Sequence, residues 1–170
     1  PLVPELVEQL EQGIEVLDVG VGPTPKLYFA VNHLDPDGGV MVTGSHNPAP
    51  DNGLKIMKGK ASFFGEEIQA LGTLAQAGPP TAATPGSIRA ENVDDAYVTR
   101  LTTGLDFGKK DFGVVVDAGN GSAGPLGVRA LETAGFRPVK LFVDMDGRFP
   151  NHHPDPTVPK NVETVVARVR

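Results

Sequence analysis

The sequence predicts an α/β protein made of two consecutive units with mostly parallel strands. Segments with apolar residues at helical spacing alternate with short apolar segments, in the order strand, helix, strand, helix in each half. The 21 glycines and 16 prolines among 170 residues require frequent turns. The two halves also share the pattern DxGxG after their first strands, as DVGVG at 18–22 and DAGNG at 117–121. This repetition favours two related units, each with a loop where open α/β sheets bind ligands.

Apolar spacing, and the Gly and Pro residues that bound each segment, justify the elements in turn. The predicted elements of the first half are a helix over Leu2–Leu10, a strand over Ile14–Val19, a helix over Lys26–Leu34, a strand over Val40–Thr43, a loop over Gly44–Gly53, a strand over Leu54–Met57 and a helix over Glu66–Ala75. After a connector over Gly78–Gly86, those of the second half are a helix over Asp94–Leu101, a strand over Val114–Val116, a helix over Ala123–Ala134, a strand over Val139–Val143 and a helix over Lys160–Val169. The boundary is expected near residues 103–111.

Composition excludes several classes of function. The net charge of −6 argues against binding to nucleic acid or to an anionic membrane surface. The absence of cysteine excludes disulfides, a thiolate nucleophile and a Cys-based zinc site, and it favours a cytoplasmic protein. No segment approaches the roughly 18 apolar residues that would span a bilayer, and no charged-then-apolar leader opens the chain.

The string VMVTGSHNPAPDNGLKI, residues 40–56, places a serine just past a predicted strand. A preceding glycine and a following proline predict that the hydroxyl of Ser45 is exposed and rigidly held, suited to a nucleophile or a phosphoryl carrier. His46 follows directly, but adjacent side chains on extended backbone diverge, so the two do not define a catalytic dyad. Lys55 is a candidate proton carrier. The alternatives are a structural turn for Ser45 and a solvated surface lysine for Lys55.

Two further stretches suggest other chemistry. GNGSAG at 119–124, between a strand and a helix, has the spacing of a dinucleotide-binding loop, and Asp144 is placed to contact a ribose. The alternative functions are therefore an NAD(P)-binding Rossmann-type domain or a non-catalytic α/β binding module. The carboxylates and imidazoles of 144–156 are compatible with a metal site, but the prolines favour a stiff crossing that braces two domains.

Taken together, these motifs resemble the α-D-phosphohexomutase superfamily. Residues 40–56 are similar to its phosphoserine loop, DVGVGPTP to the segment upstream, VVVDAGNGSAG to the start of its second domain, and DGRFPNHHPDPT to a later loop. The resemblance implies two three-layer α/β/α domains with mixed, mostly parallel sheets, both incomplete in this chain. Residues 1–103 would form domain I, with the phosphoserine loop at 43–48, and 104–170 would form domain II.

The resemblance also implies a function. Hexose 1-phosphate and hexose 6-phosphate, of mannose or glucose, would interconvert through a hexose 1,6-bisphosphate, with Ser45 carrying the transferred phosphoryl group. Lys55 matches a proton carrier that also binds substrate, His46 matches a catalytic loop residue, and Asn47 matches a substrate-binding one. No nucleic acid or membrane partner is implied.

The family cofactor is Mg²⁺, held by the phosphoserine and by three aspartates of a DGDGDR loop. That loop is not in this sequence, so the metal ligand expected here is Ser45 through its phosphate. The chain begins without methionine and ends within a predicted helix. Together with the missing loop, the resemblance implies that the chain is the first domain, without its beginning, and most of the second domain of a four-domain mutase, and that it is inactive alone.

Overall fold

The computed structural model describes residues 13–45, 47, 51–78 and 84–170. The chain divides into two compact units. Of the described residues, the first unit contains those up to Gly20, Thr24–Thr43 and those within Asn52–Val93, and the second contains Val21–Pro23, those within Gly44–Asp51 and Asp94–Arg170. The predicted helix over Leu2–Leu10 lies outside the described residues.

The first unit combines two small sheets with helices. Its strands are β1 (Glu15–Asp18), β2 (Gly38–Thr43), β3 (Gly53–Lys58), β4 (Ala61–Phe63) and β5 (Ser87–Ala90), and its helices are α1 (Thr24–Leu34) and α2 (Glu66–Gln76). Strands β1 and β5 pair in parallel, whereas β2, β3 and β4 form an antiparallel meander. The hairpin β2–β3 is in register from Gly38 opposite Lys58 to Thr43 opposite Gly53.

The core of the first unit lies between α1 and the meander. Leu27 and Val31, one turn apart on α1, pack with Met57 of β3, and the partly buried Met41 of β2 joins them. These side chains lie on one face of α1 because residues four apart are neighbours on a helix. This packing holds the hairpin, and hence the two ends of the serine-bearing loop, against a rigid helix.

The second unit is a βαβ arrangement with additional helices. Its elements are α3 (Asp94–Thr102), β6 (Val115–Asp117), α4 (Gly124–Thr133), β7 (Val139–Leu141), a 3₁₀ turn (Pro159–Val162) and α5 (Glu163–Val169). Strands β6 and β7 pair in parallel, and α4 connects them. Helices α3 and α4 pack together. The carboxyl ends of β6 and β7 therefore present their loops at one edge of the sheet.

The predicted alternation of strands and helices is confirmed, and the sheets have mixed strand directions as predicted. Two of the four strand pairings among the described residues are parallel and two are antiparallel. Two strands were not predicted, β4 and β5. The helix predicted over Lys160–Val169 is in fact a 3₁₀ turn followed by the α-helix Glu163–Val169.

Close approach of the chain to itself requires a glycine at the start of α4. A Cβ added at Gly124 would overlap the backbone carbonyl of Val143, whereas one added at Gly127, three residues on, would meet nothing. We expect Gly124→Ala to lower the free energy of unfolding by more than about 2 kcal/mol, because a backbone group must shift. Gly127→Ala, the matched control, should raise it by roughly 0.5–1 kcal/mol. Urea titration measures both, and equal effects of the two changes would contradict this packing.

Candidate functional site

The loop between β2 and β3 carries Ser45. This residue has φ 52°, in the left-handed region that residues with a Cβ rarely adopt, and its side chain is exposed. A tight turn follows, in which the amide of Asn47 donates to the carbonyl of Gly44 at 2.9 Å. Uncommon backbone conformations of this kind cost about 1–3 kcal/mol and cluster at functional sites. The loop thus presents an exposed hydroxyl from a constrained backbone.

Lys55 is fixed in the first unit by a contact between two elements. It lies on β3 opposite Met41, is half-buried, and its Nζ donates to Oγ1 of Thr24 at 2.9 Å. Thr24 is the first residue of α1. The ammonium group is therefore held by the start of a helix 31 residues earlier in the chain, and it does not extend freely into solvent as most surface lysines do.

Of the other two predicted site residues, Asn47 and His46, the structure describes only the first. Asn47 is exposed and takes part in the turn after Ser45. His46 lies outside the described residues. Thr24 is not among the predicted site residues, although it lies in the string DVGVGPTP, which resembles a family segment. A threonine at a helix start, a position where hydroxyl side chains are common, was the available signal.

The two repeated strings adopt the same local structure. Asp18 ends β1 and Asp117 ends β6, and the Oδ1 atom of each accepts the amide of the glycine two residues on, at 2.9 Å in both cases. Gly20 and Gly119 both have positive φ, 69° and 51°. Each strand thus ends in an aspartate turn that redirects the chain at the sheet edge. The similarity noticed in the sequence corresponds to a shared geometry.

Most amides of the glycine-rich loop 119–124 donate to acceptors elsewhere in the second unit or in the loop itself. The amides of Gly119, Asn120, Gly121 and Gly124 donate to Asp117 Oδ1 and to the carbonyls of Phe142, Ala118 and Gly121. A dinucleotide-binding loop uses such amides to hold a pyrophosphate. Four of the six amides of this loop are thus already paired within the chain, and this pairing does not favour the Rossmann alternative.

Asn120 is the centre of a network that joins three segments. It has φ 58° and is buried, and its Nδ2 donates to the carbonyl of Asp144 at 2.9 Å. Its Oδ1 accepts from Nδ2 of Asn151 at 2.7 Å, and its carbonyl accepts the amide of Asp146 at 3.0 Å. The side-chain amide is thus used by the protein itself, and it fixes the loop after β7 to the loop after β6.

In the acidic and histidine-rich loop 144–156, Asp146 and His152 each contact a side chain of potentially opposite charge. Arg148 binds Asp146 through two nitrogens, and this hydrogen bonding lowers the pKa of Asp146 to about 2. Nε2 of His152 lies 3.0 Å from Oδ1 of Asp117. Within the described ranges, no group of three or more His, Cys, Asp or Glu side chains is placed to hold a metal ion.

In the same part of the chain, no helix is long and apolar enough to cross a membrane.

Both halves of the chain match models of one protein family. The model described as phosphoglucomutase/phosphomannomutase, alpha/beta/alpha domain I, matches residues 9–77. The model of alpha/beta/alpha domain II of the same family matches residues 95–170. Ser45 and Lys55 fall within the first match, and both DAGNG and the loop 144–156 fall within the second.

Relatives and solved structures agree with the family models. The chain is 42% identical to a phosphomannomutase/phosphoglucomutase of Pseudomonas putida and 38% identical to a phosphoglucomutase of Neisseria meningitidis, in each case over 98% of this chain. It spans 37% of the length of each of these relatives.

A crystal structure of a phosphoglucomutase/phosphomannomutase family protein from Burkholderia thailandensis matches with a TM-score of 0.84 at 41% identity. The match covers 98% of this chain and 38% of that one. The models of domains I and II match in that order along the chain, and the relatives align over nearly all of it. The chain belongs to the phosphoglucomutase/phosphomannomutase family.

Proposed function

We propose that the protein is a phosphohexomutase in which Ser45 carries the transferred phosphoryl group. Hexose 1-phosphate and hexose 6-phosphate, of mannose or glucose, would interconvert through a hexose 1,6-bisphosphate. The observation that carries the proposal is the exposed, left-handed Ser45 at the end of β2, within the residues matched by the family model. The chain spans 37% of its relatives' length, so the activity is proposed for the intact enzyme.

Phosphoryl transfer asks for positioning and charge neutralisation more than for covalent chemistry. A hydroxyl on a constrained loop suits this role, because the acceptor oxygen needs little reorganisation before each transfer. Exposure matters equally, since a phosphoserine carries about −1.5 to −2 charges at pH 7 and its three oxygens need polar partners. Both properties of Ser45 support the proposal.

Lys55 is proposed to move a proton to or from the sugar hydroxyl and to bind substrate. Its hydrogen bond to Thr24 supports the proposal, because a general acid or base must be held in one place to act on a defined atom. His46 and Asn47 are proposed to shape the loop around the phosphoserine. For Asn47 the support is its place in the turn after Ser45. The roles of Ser45, Lys55, His46 and Asn47 remain predictions, as does the boundary between domains 1–103 and 104–170.

Mg²⁺ is the proposed cofactor, with the phosphate on Ser45 as the ligand that this chain supplies. The described residues do not form a divalent-metal site on their own, because no three metal-binding side chains converge among them. A divalent ion would neutralise phosphate charge during transfer. The cysteine-free sequence supports the proposed cytoplasmic location.

Phosphoryl mapping tests the proposal. The intact protein would be dephosphorylated, incubated with glucose 1,6-bisphosphate and digested, and its peptides analysed by mass spectrometry. We expect one phosphoryl group on the peptide that contains Ser45 and none on the peptide that contains Ser62, an exposed serine of β4. An unmodified Ser45, or equal labelling of the two serines, would rule out the proposed carrier.

A further inference from the structure

The imidazole of His152 lies between two hydrogen-bond acceptors. Its Nε2 is 3.0 Å from Oδ1 of Asp117, and its Nδ1 is 2.9 Å from the carbonyl oxygen of His153. A neutral imidazole has one N–H, so one ring lone pair would face an acceptor, whereas an imidazolium donates to both. We infer that the protonated imidazole of His152 donates to both acceptors, and that its ion pair with Asp117 is a pH-sensitive latch between the loops 117–121 and 151–155.

The His152 and Asp117 side chains are both largely buried, so the stability of their ion pair depends on the charge of each. The Asp117 side chain is 9% exposed and that of His152 is 16% exposed. Oδ1 of Asp117 also accepts the amide of Gly119, but Oδ2 is buried without a hydrogen-bond partner. A buried carboxylate that lacks a cation is strongly destabilised. Deprotonation of His152 would therefore remove the charge that balances Asp117.

Packing around the ring leaves it little freedom to find another partner. The ring meets that of Phe142 edge-on at a centroid distance of 5.4 Å. A Cβ at Gly119 would lie 3.0 Å from Cε1 of His152, so the backbone passes directly beside the imidazole. The neighbouring bond from Asn151 to Asn120 joins the same two loops. A change in the charge of His152 would therefore act on the position of both loops.

Other charged groups near the ring do not replace Asp117. Asp146, in the loop after β7, is bound by Arg148. Next to the 3₁₀ turn and α5, His152 lines a polar pocket of about 400 Å³. The other charged or titratable side chains that line this pocket are those of His153, Lys160 and Glu163. Among the described residues, the carboxylate within hydrogen-bond distance of the imidazole is that of Asp117.

The direction of the pH effect follows from linkage. The hydrogen bond to the His153 carbonyl, and then the bond and charge of Asp117, raise the pKa of His152 above 6.5, against the opposing effect of burial. A group whose pKa is higher in the folded state stabilises that state fully below its unfolded pKa, about 6.5 for histidine. The stabilisation is lost as the pH rises through the raised pKa, so the latch opens on the alkaline side.

Nitrogen-15 NMR of the histidine rings in the intact protein tests the inference. We expect the titration midpoint of His152 to lie above the value of about 6.5 for an unfolded histidine, with both ring nitrogens protonated below that midpoint. Amide exchange rates of the two loops, corrected for intrinsic base catalysis, should rise through that midpoint. A midpoint at or below the unfolded value would overturn the inference without any variant.

Two matched variants then assign the cause. Asp117→Asn keeps an oxygen for the Gly119 amide but removes the charge, and it should lower the titration midpoint of His152, because a nearby opposite charge favours the imidazolium. Asp146→Asn removes a carboxylate already committed to Arg148 and should leave the midpoint unchanged. Equal midpoints in the Asp117 variant and the wild type would overturn the ion pair. The readout is independent of phosphoryl transfer, so the latch and the proposed function can fail separately.

Discussion

Replacing Ser45 by alanine is expected to reduce kcat for hexose-phosphate interconversion in the intact enzyme by at least about a thousandfold. The change removes the oxygen that would accept and return the phosphoryl group, and the methyl group that replaces it cannot carry a phosphoryl group. Because alanine keeps the Cβ, the left-handed backbone at this position is neither relieved nor further strained. KM should change much less than kcat, and steady-state kinetics in both directions measures the two quantities.

Ser62→Ala provides the matched control. Ser62 is also exposed, but it lies on β4, where Met57 of β3 is its register partner. Its replacement should leave kcat within about twofold of the wild type, as expected for a surface change away from reacting groups. Turnover by Ser45→Ala close to that of Ser62→Ala would show that the phosphoryl group travels by another route.

Local sequence patterns predicted most helices and strands because their apolar residues repeat at the period of the element. Helix α1 is an example, since Leu27 and Val31 are four residues apart and both are buried. The two strands that were missed lack such a pattern. Strand β4 has three residues, and all four residues of β5 are exposed, so its backbone pairing with β1 is what defines it. Pairing between distant segments leaves no trace in side-chain periodicity.

The geometry of the candidate site was predicted less completely than the helices and strands. The exposure of Ser45 was expected from Gly44 and Pro48, but its left-handed backbone was not, because non-glycine residues seldom adopt it. The bond from Lys55 to Thr24 joins residues 31 positions apart and depends on how α1 packs on the hairpin. His152 and Asp117, 35 positions apart, were noticed separately and never paired. Tertiary contacts of this kind arise from packing, which a single sequence does not encode locally.

Lys55→Met is expected to lower kcat by about 10²- to 10⁴-fold, the usual contribution of a positioned general acid or base. Methionine has a similar length to lysine but carries no charge and no ionisable proton. The pairing of β3 with β2, in which Met41 lies opposite residue 55, should therefore be kept. If proton transfer is the role of Lys55, kcat falls while KM changes by less than about threefold. If the ammonium serves only to bind substrate phosphate, KM rises and kcat holds. Steady-state kinetics of the intact enzyme at several pH values distinguishes these outcomes.

Two further substitutions separate charge from position. Lys58→Met removes an exposed lysine from the same strand and should leave both kinetic constants near the wild type. Thr24→Val keeps the shape of the residue that holds Nζ but removes its oxygen, so it should lower kcat by a smaller factor than Lys55→Met. A Thr24 variant with unchanged kcat and pH profile would mean that this hydrogen bond does not position the proton carrier.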